Sequence, residues 1–334
     1  MSRPRIEDVA ARAGTSPITV SRVLREPAKV APATRARVTA AIAALGYIPN
    51  LSASSLASRR SGIVGLLVPT IDNSIFAATV QGLTDAVATA GLQLLLGDFR
   101  YSDEGERALV RALVGRQPDA LVVVGVVRDR ALREMLLGLD IPVIETWDLT
   151  TRPVDTVVGF SNREAGAAMA RHFMARGRHR LAFVGGRDQR AQARAAGFAA
   201  ALERAGAPSP VTEIVDGAAI AEGRRAVARI LTIAPKTEGV FFSTDMLAVG
   251  GLIECQHCNI AVPYQLAIAG LGDQEIGREL TPALTTVRVP AYEIGKNAGE
   301  IVLSRLRGDP IGKRVLNLGF SIVERESTQA RSAK

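Results

Sequence analysis

From residue 62 onward, short aliphatic runs alternate with stretches that have the periodicity of amphipathic helices. The stretch 75–90, for example, carries Val80, Leu83 and Val87 at helical spacing between two such runs. Strand-length runs that alternate with helices predict parallel sheets with helices packed on their faces. Because the cycle restarts near residue 180, we predict two doubly wound sheets rather than one. The predicted strands are 62–68, 92–96, 120–124, 141–145, 180–185, 239–243 and 266–270.

Ligands of doubly wound sheets bind beyond the carboxyl ends of the strands, and two facing sheets place those ends around one cleft. The candidate ligand-binding residues therefore lie in the segments that follow the strands. Trp147, the only tryptophan, is suited either to packing on the C–H face of a polyol or to a place in the core. The full candidate set is Asn73, Phe76, Arg128, Glu145, Trp147, Arg194, Thr244, Asp245, Asp273 and Gln274.

The positive charge of the chain is concentrated at its amino-terminal end. The first sixty residues carry ten Lys or Arg residues against three acidic ones, whereas the whole 334-residue chain has a net charge of +8. The remainder is therefore almost neutral. Charge concentrated in this way is typical of a module that contacts a polyanion, because phosphate neutralisation dominates protein–DNA affinity. Since one core stops growing at roughly 250 to 300 residues, we expect a small head and a larger divided body.

The basic segment begins with a helical pattern that Gly14 interrupts. A second helix follows, with Ser16 as a plausible N-cap and Pro17 at the first position, where a missing N–H is tolerated. Two short helices joined by a glycine-containing turn indicate a helix-turn-helix, whose second helix can enter the major groove of DNA. An ordinary three-helix surface bundle is the alternative.

The inner and outer faces of the second helix follow from its periodicity. Val20, Val23 and Leu24 form the predicted inner stripe, so Ile18 and Arg22 lie on the outer face. A third helix, roughly Pro32 to Leu45, is expected to close the core with Val38, Ile42 and Leu45, and to end at Gly46.

The runs IEDVAARAGTSPITVSRVLRE, VAPATRARVTAAIAALGYIPN and SLASRRSG closely resemble the DNA-binding head and hinge of the lactose/galactose-repressor (LacI/GalR) family. The resemblance implies two kinds of contact, to phosphates and to base edges. Ala31 departs from the pattern, because members often have a hydroxyl residue there that caps the third helix. The implied phosphate contacts are Ser16, Thr19, Ser21 and Thr34, and the implied base contacts are Pro17, Ile18 and Arg22.

The segment from Asn50 to Ala57 resembles the hinge helix of the same family. Eight residues are fewer than the roughly 12 to 15 that make an isolated helix marginally stable, so folding on DNA is expected. Leu56, next to Ala57, would then be an apolar wedge in the minor groove. A plain flexible linker is the alternative. The predicted domains are a DNA-binding domain at 1–49, a hinge at 50–61, and an effector-binding and dimerisation core at 62–334.

The remainder resembles the effector-binding core of this family, itself similar to type I periplasmic sugar-binding proteins. By this resemblance Arg194 binds effector oxygens. The segments PVIETWD, VGFSN, ECQ and IAGLGDQEIG resemble the gluconate-type branch, with Glu145 as a branch-like residue. Gly272 stands where many members have an aspartate suited to neutral sugar hydroxyls. The leading effector is therefore a sugar acid such as gluconate or a keto-gluconate, and a neutral sugar or a nucleobase is the alternative.

Other functions find little support in the sequence. No apolar run approaches the roughly 18 residues of a membrane span, and with no signal-peptide core the chain is interpreted as cytoplasmic. Cys255 and Cys258 have the local spacing of a zinc or redox pair but no second pair accompanies them. No catalytic triad, phosphate loop or dinucleotide fingerprint can be assembled. We expect neither an enzyme nor a cofactor nor a metal.

The sequence therefore predicts an all-α helix-turn-helix head followed by an α/β two-lobed core of doubly wound parallel sheets. The predicted function is a ligand-responsive transcriptional regulator, a repressor, that binds double-stranded operator DNA. A homodimer or a dimer of dimers is expected, because one recognition helix reads only a few base pairs. A two-lobed solute-binding protein and an architectural nucleic-acid protein are the rivals.

Overall fold

The protein is represented by a computed structural model that describes residues 4–48, 60–310 and 312–329. The chain divides into two compact units, Met1–Ser61 and Gly62–Lys334. Each unit has its own hydrophobic core, so each is described by itself.

The first unit, the head, contains the three predicted helices: α1 (Ile6–Ala13), α2 (Pro17–Arg25) and α3 (Pro32–Leu45). Gly14 ends α1 in the left-handed conformation at φ +61°, which a glycine adopts without strain. Ser16 then caps α2, and Pro17 occupies its first position. The turn between the two helices is thus specified by its own local residues.

The core of the head is formed by one face of each helix. Val9, Val20 and Val38 are completely buried, and Ile42 and Leu45 pack against them while partly exposed. The prediction that Leu24 lies in the inner stripe is wrong, because its side chain is 39 % exposed. Val20 and Val23 already define the inward direction, and the next residue lies about 100° around the helix.

The second unit, the core, contains the two predicted sheets. One has the strand order β11-β5-β4-β3-β1-β2 and the other β12-β10-β9-β8-β6-β7, and all neighbours are parallel except β10 and β12. Five strands of three or four residues were not predicted from the sequence: β5, β7, β10, β11 and β12. The strands are β1 (Ile63–Val68), β2 (Gln93–Asp98), β3 (Ala120–Val124), β4 (Val143–Thr146), β5 (Thr156–Gly159), β6 (Leu181–Gly185), β7 (Val211–Ile214), β8 (Gly239–Phe242), β9 (Ala267–Leu271), β10 (Thr285–Arg288), β11 (Val315–Asn317) and β12 (Ser321–Val323).

Helices connect the strands and complete two lobes, which we call the N-terminal lobe (first sheet) and the C-terminal lobe (second sheet). The chain passes from one sheet to the other after β5, after β10 and after β11, so each lobe combines distant segments. The helices are α4 (Ala77–Ala88), α5 (Asp103–Val114), α6 (Arg130–Leu137), α7 (Asn162–Met174), α8 (Gln189–Arg204), α9 (Ile220–Ile233), α10 (Asp245–His257), α11 (Glu275–Glu279) and α12 (Ala291–Leu306).

The helices α7 and α8 of the C-terminal lobe pack with their backbones in contact. A Cβ added at Gly166 on α7 would overlap the backbone carbonyl of Arg194 on α8. Gly197 on α8 is related in the same way to the backbone of Arg163 on α7. These two glycines allow the helix backbones to touch, and this contact fixes where the Arg194 side chain begins.

Across the described ranges, the helices lack the combination of length and apolar character that a bilayer crossing requires.

Candidate functional site

The start of α2 is held by two neighbouring hydroxyls. The Ser16 Oγ atom accepts a hydrogen bond from the Thr19 backbone N–H at 3.2 Å and lies 3.0 Å from the Thr19 Oγ1 atom. An N-cap of this kind satisfies one of the free N–H groups at a helix start. The partially positive end of α2 and two hydroxyls are therefore presented together, which suits a phosphate.

The outer face of α2 carries the residues predicted to read bases. Pro17, Ile18 and Arg22 are exposed, and the Ile18 side chain is 71 % exposed. Ile18 and Arg22 are one helical turn apart and lie side by side. This face can offer apolar surface to a thymine methyl and a fork of N–H donors to a guanine.

Of the remaining predicted DNA contacts, the structure describes some and not others. Ser21 and Thr34 are half-buried, with Thr34 in the first turn of α3. Ala31 precedes α3 without a side-chain capping bond, as its departure from the family pattern predicts. Asn50, Leu56 and Ala57 lie outside the described residues.

In the core, four non-glycine residues that follow strands have a left-handed backbone. Arg100 and Tyr101 after β2 have φ values of +51° and +54°, and Trp147 after β4 and Asp273 beyond β9 have values of +67° and +53°. Such conformations cost about 1 to 3 kcal/mol each and persist where the surroundings impose them, often at functional sites. Their position beyond strand ends matches the expected location of a ligand cleft.

Arg194 is the central polar group of this cleft. Its side chain is buried, and its Nη1 atom donates to the Oδ1 atom of buried Asn162. No described residue accepts a hydrogen bond from its Nε atom, and within the described ranges it forms no ion pair. Burial lowers the pKa of Arg194 to about 10, although the charges of Asp188 and Asp148 oppose this, so the guanidinium remains charged at neutral pH with no described carboxylate at ion-pair distance.

Asn162 connects this arginine to the end of β4. Its Nδ2 atom donates to the Trp147 backbone carbonyl at 2.8 Å and to the Asp148 Oδ1 atom at 3.2 Å. The side chain is completely buried at the start of α7. Asn162 therefore fixes the orientation of the Arg194 guanidinium relative to the N-terminal lobe.

Arg190, one turn before Arg194 on α8, spans the two lobes. Its guanidinium lies 5.2 Å from the centre of the Phe76 ring, and its Nη1 atom donates to the Val124 carbonyl at 3.3 Å. Unlike Arg194 it has a nearby counter-ion, because its Nε atom is 3.7 Å from the Asp188 Oδ1 atom. Tyr101 is 43 % exposed, yet desolvation still raises the pKa of its phenol while Arg190 opposes that rise.

The aromatic residues lie beneath these polar groups. Trp147 is 2 % exposed, contacts Phe76 and Phe160 edge to face, and donates from its Nε1 atom to the Thr79 Oγ1 atom at 2.9 Å. Of the two roles considered for Trp147, this geometry favours the core aromatic over the sugar-stacking platform. Phe76 is also buried, under the Arg190 guanidinium.

The acidic candidates of the C-terminal lobe already have partners. Both oxygens of buried Asp245 accept hydrogen bonds, from the Thr286 hydroxyl at 2.6 Å and the Gln274 backbone N–H at 2.7 Å. Burial raises the pKa of Asp245 to about 6. Thr244 caps α10 through a 3.4 Å bond from the Leu247 backbone N–H.

Asp273 is surrounded by guanidinium groups of its own lobe. It forms ion pairs with Arg278 at 3.0 Å, Arg288 at 2.6 Å and Arg325 at 2.5 Å. Burial alone would raise the pKa of Asp273, but the hydrogen bonds from Arg325 and Arg288 hold it below its ordinary value. The carboxylate thus anchors three arginines instead of presenting free acceptors.

Gln274 joins the two lobes and keeps one polar atom free. Its Nε2 atom donates to the Ser74 hydroxyl of the N-terminal lobe at 2.6 Å. Its Oε1 atom is buried and has no hydrogen-bond partner among the described residues. Beside it, Ile75 lies under Gly272, so the lobes touch here directly.

Three further candidates lie in the N-terminal lobe. The two carboxylate oxygens of completely buried Glu145 accept backbone N–H bonds from Val127 at 2.8 Å and Val154 at 2.7 Å, which gives Glu145 a structural role. Buried Asn73 accepts a bond from the Ile75 backbone N–H at 3.2 Å. Arg128 is exposed beside Val127 and lines a recess of the N-terminal lobe.

The geometry adds two polar residues that lie outside the named candidate set, although Arg190 falls within the predicted strand-end segment 186–194. Arg190 stands at i−4 from Arg194, a spacing that could have paired them on one helix face. Asn162 follows the unpredicted strand β5, and recognising that strand would have marked it as a strand-end residue. Both lie at the cleft because of contacts between segments that are distant in sequence.

A helix-turn-helix head and a two-lobed α/β core define a DNA-binding transcriptional regulator rather than an enzyme. Residues 5–50 match the profile described as "Bacterial regulatory proteins, lacI family", and residues 170–328 match a periplasmic binding protein-like domain. The chain belongs to the LacI family. It carries the helix-turn-helix domain and the periplasmic-binding-protein-like core predicted from its sequence.

Similar proteins extend over the full chain. The HTH-type transcriptional regulator GntR of Pseudomonas aeruginosa is 38 % identical over 329 residues, which are 98 % of this chain and 96 % of that protein. GntR of Escherichia coli strain K12 is 32 % identical over 321 residues, 96 % of this chain and 97 % of that protein. A crystal structure of a LacI-family transcriptional regulator from Silicibacter pomeroyi has a TM-score of 0.92 and 33 % identity, covering 98 % of this chain and 100 % of that one.

Proposed function

We propose that this regulator is a repressor whose affinity for operator DNA is controlled by a small sugar acid of the gluconate or keto-gluconate type. The observation that carries the anionic ligand is Arg194, a buried cation with an unpaired Nε atom and no described carboxylate partner. A buried charge without a hydrogen-bonded counter-ion is costly, and a ligand carboxylate can supply two acceptors to its fork of donors.

A second polar atom without a partner, on Gln274, supports the proposal that the ligand also carries hydroxyl groups. The Gln274 Oε1 atom is a buried acceptor that lacks a donor among the described residues, and a ligand hydroxyl can provide one. Arg194 and Gln274 together favour a ligand with an acceptor-only anionic group and at least one hydroxyl. A sugar acid has both groups, whereas a neutral sugar lacks the first.

This proposal does not require direct effector contacts from four of the candidates, Trp147, Glu145, Asp245 and Asp273. Their polar atoms are engaged within the protein, so they hold the walls of the cleft. Binding between the lobes would change their relative orientation through different affinities for the two arrangements.

Calorimetric titration of the full-length protein with gluconate, 2-keto-gluconate, glucose and adenine tests the effector class. We expect heat for the acids and none for glucose or adenine at the same concentrations. The proposal is contradicted if glucose or adenine binds saturably while neither acid gives a binding heat.

At the DNA, we propose phosphate contacts by Ser16, Thr19, Ser21 and Thr34, base contacts by Pro17, Ile18 and Arg22, and pairing of two heads in a homodimer. Two recognition helices are needed because one covers only a few base pairs. A footprint on operator DNA should contain two half-sites in inverted orientation. A single protected half-site with a one-to-one complex contradicts the dimer.

The segment from Asn50 to Ala57 keeps its predicted role as a hinge that folds on DNA, with Leu56 as the wedge. The substitution Leu56→Ala should weaken binding to operator DNA more than binding to random duplex, since only specific binding opens the minor-groove step. Equal losses on both duplexes argue for a flexible linker.

A further inference from the structure

The N-terminal lobe contains a recess of about 280 Å³ whose lining includes neither Arg194 nor the residues that contact it. It is lined by residues that follow β3, by residues that follow β4, and by one side chain of α6. Every residue of its lining lies between positions 126 and 152, so the C-terminal lobe contributes nothing to it. Its volume is close to the lower end of the range for small-molecule sites.

Three arginines face this recess: Arg128 after β3, Arg133 on α6 and Arg152 after β4. Within the described parts of the chain, none of the three forms an ion pair. Arg133 makes one bond to a neutral acceptor, from its Nη2 atom to the Pro153 carbonyl at 3.1 Å. Three cations therefore surround one cavity with no carboxylate at ion-pair distance in the described residues, and only Arg133 lies close enough to Glu145 to interact with its charge.

The nearby carboxylates are already engaged. Glu145 uses one oxygen for the Val127 N–H and the other for the Val154 N–H. Asp129 accepts from the Leu132 N–H at 2.7 Å and pairs with Arg107 at 3.0 Å. These acids cannot turn toward the arginines without breaking buried or part-buried hydrogen bonds.

The walls of the recess are also fixed in position. Because Glu145 binds Val127 on one side and Val154 on the other, a single buried carboxylate holds the two loops that carry Arg128 and Arg152. The Thr150 hydroxyl accepts from the Arg152 backbone N–H at 3.2 Å and shapes the second loop further. A site held in this way loses little conformational entropy when a ligand binds.

We propose that this arginine recess is a second anion-binding site, which receives the phosphate group of a small phosphorylated metabolite. A phosphate monoester carries about −1.5 to −2 charges and three terminal oxygens, so it matches three guanidiniums better than a single carboxylate does. The Thr150 hydroxyl and the aliphatic walls would contact the carbon part of the ligand. The lining of this site includes none of the residues that we assign to the sugar acid, so the two sites can be tested by separate variants.

Titration calorimetry of the full-length protein with glycerol 3-phosphate tests this site, with glycerol as the uncharged control and chloride matching the ionic strength. We expect saturable binding of the phosphate ester at one site per chain and none of glycerol. The double substitution Arg128→Gln with Arg152→Gln should weaken it about tenfold or more, because two charged hydrogen-bonding groups are lost.

Three matched variants locate the binding. Arg130→Gln removes an exposed charge on α6 whose partner is Glu134, and it should leave the affinity unchanged. Arg22→Ala in the head and Arg194→Gln in the cleft should also leave it unchanged. An affinity that falls in Arg22→Ala or Arg194→Gln, or that is retained in the double variant, overturns the proposal. Loss of gluconate binding in Arg194→Gln alone concerns the effector cleft and not this recess.

Discussion

In the head, the side chains that we assign to DNA recognition lie on the exposed face of α2. In the core, the side chains that we assign to effector binding are buried at the cleft. Ile18 is 71 % exposed, and Arg194 is 5 % exposed. A charged residue at the surface is stabilised by water until DNA replaces it. A buried guanidinium depends on the protein or the ligand for every partner. The charged residues of the head are therefore stabilised by water when DNA is absent, whereas the buried arginine of the cleft needs a ligand to complete its hydrogen bonds.

This difference leads to separable effects of mutations. Substitutions on the outer face of α2 should change DNA recognition and leave the fold and the effector response intact. Substitutions around Arg194 should change the effector response, the stability, or both, and leave the intrinsic preference for operator DNA intact.

The largest effect is expected for Arg194→Gln. Removing a charged hydrogen-bonding group from a buried site should weaken gluconate binding on the order of 100-fold. Operator affinity without effector should stay within about twofold of the wild type. Arg204→Gln, at the exposed end of the same helix, is the matched control and should bind gluconate normally. A variant at position 194 with wild-type affinity for gluconate contradicts the assignment of the cleft.

Gly166→Ala tests whether the close contact of α7 and α8 positions the cleft. The new Cβ would overlap the Arg194 backbone carbonyl, so the helices must separate, at a cost of about 1 to 3 kcal/mol of unfolding free energy. Denaturant unfolding followed by the fluorescence of Trp147 measures it. Gly312→Ala, where an added Cβ meets nothing within 4 Å, is the control. Equal stability of the two variants would show that the helix pair can adjust freely.

In the head, Arg22→Ala should relax discrimination at one base pair by roughly 1 to 3 kcal/mol. Competition between the operator and single-substitution operators measures the change position by position. Gluconate binding and the unfolding of the core should be unaffected. A uniform loss of affinity on all sequences would make Arg22 a phosphate contact instead.

The smallest effect concerns Asp245. Burial raises its pKa from the ordinary 3.8 to about 6, so the protonated form is favoured in the folded state. Its contribution to stability is present at low pH and is lost as the pH rises through about 6. Between pH 7 and pH 5 this group should add about 1 kcal/mol to the free energy of unfolding.

The substitution Asp245→Asn removes this titration, so its unfolding free energy should gain less than that of the wild type on the same change of pH. Asp273, whose pKa is lowered, acts in the opposite direction in both proteins, and its charge is one of the causes that raise the pKa of Asp245. Parallel pH profiles of wild type and variant would place the pKa of Asp245 near its ordinary value.

The sequence predicts the head well because its determinants are local. Gly14, Ser16 and Pro17 specify the turn and the start of α2 within a few residues. Seven strands and the two-sheet architecture also follow from local runs of aliphatic residues. Five strands of three or four residues escape prediction, because segments such as 156–159 are too short for a periodic pattern, although the four-residue strands β4 and β8 are predicted.

The chemistry of the cleft is harder to predict, because it depends on partners distant in sequence. Glu145 looks like a ligand-binding acid until its two oxygens are found on Val127 and Val154. The Thr286 hydroxyl that donates to Asp245 is 41 residues away in sequence, and Asn162 is 32 residues from Arg194. Their positions after strands mark Glu145, Asp245 and Arg194 as candidates, but only the fold decides which polar atoms remain unpaired.

The most direct measurement is the affinity for operator and for random duplex at physiological salt, with and without gluconate, in the wild type and in Arg194→Gln. Both proteins should prefer the operator by a factor on the order of 1,000 or more, and only the wild type should change its operator affinity when gluconate is added. The account is contradicted if neither protein distinguishes the operator, or if the two respond to gluconate alike.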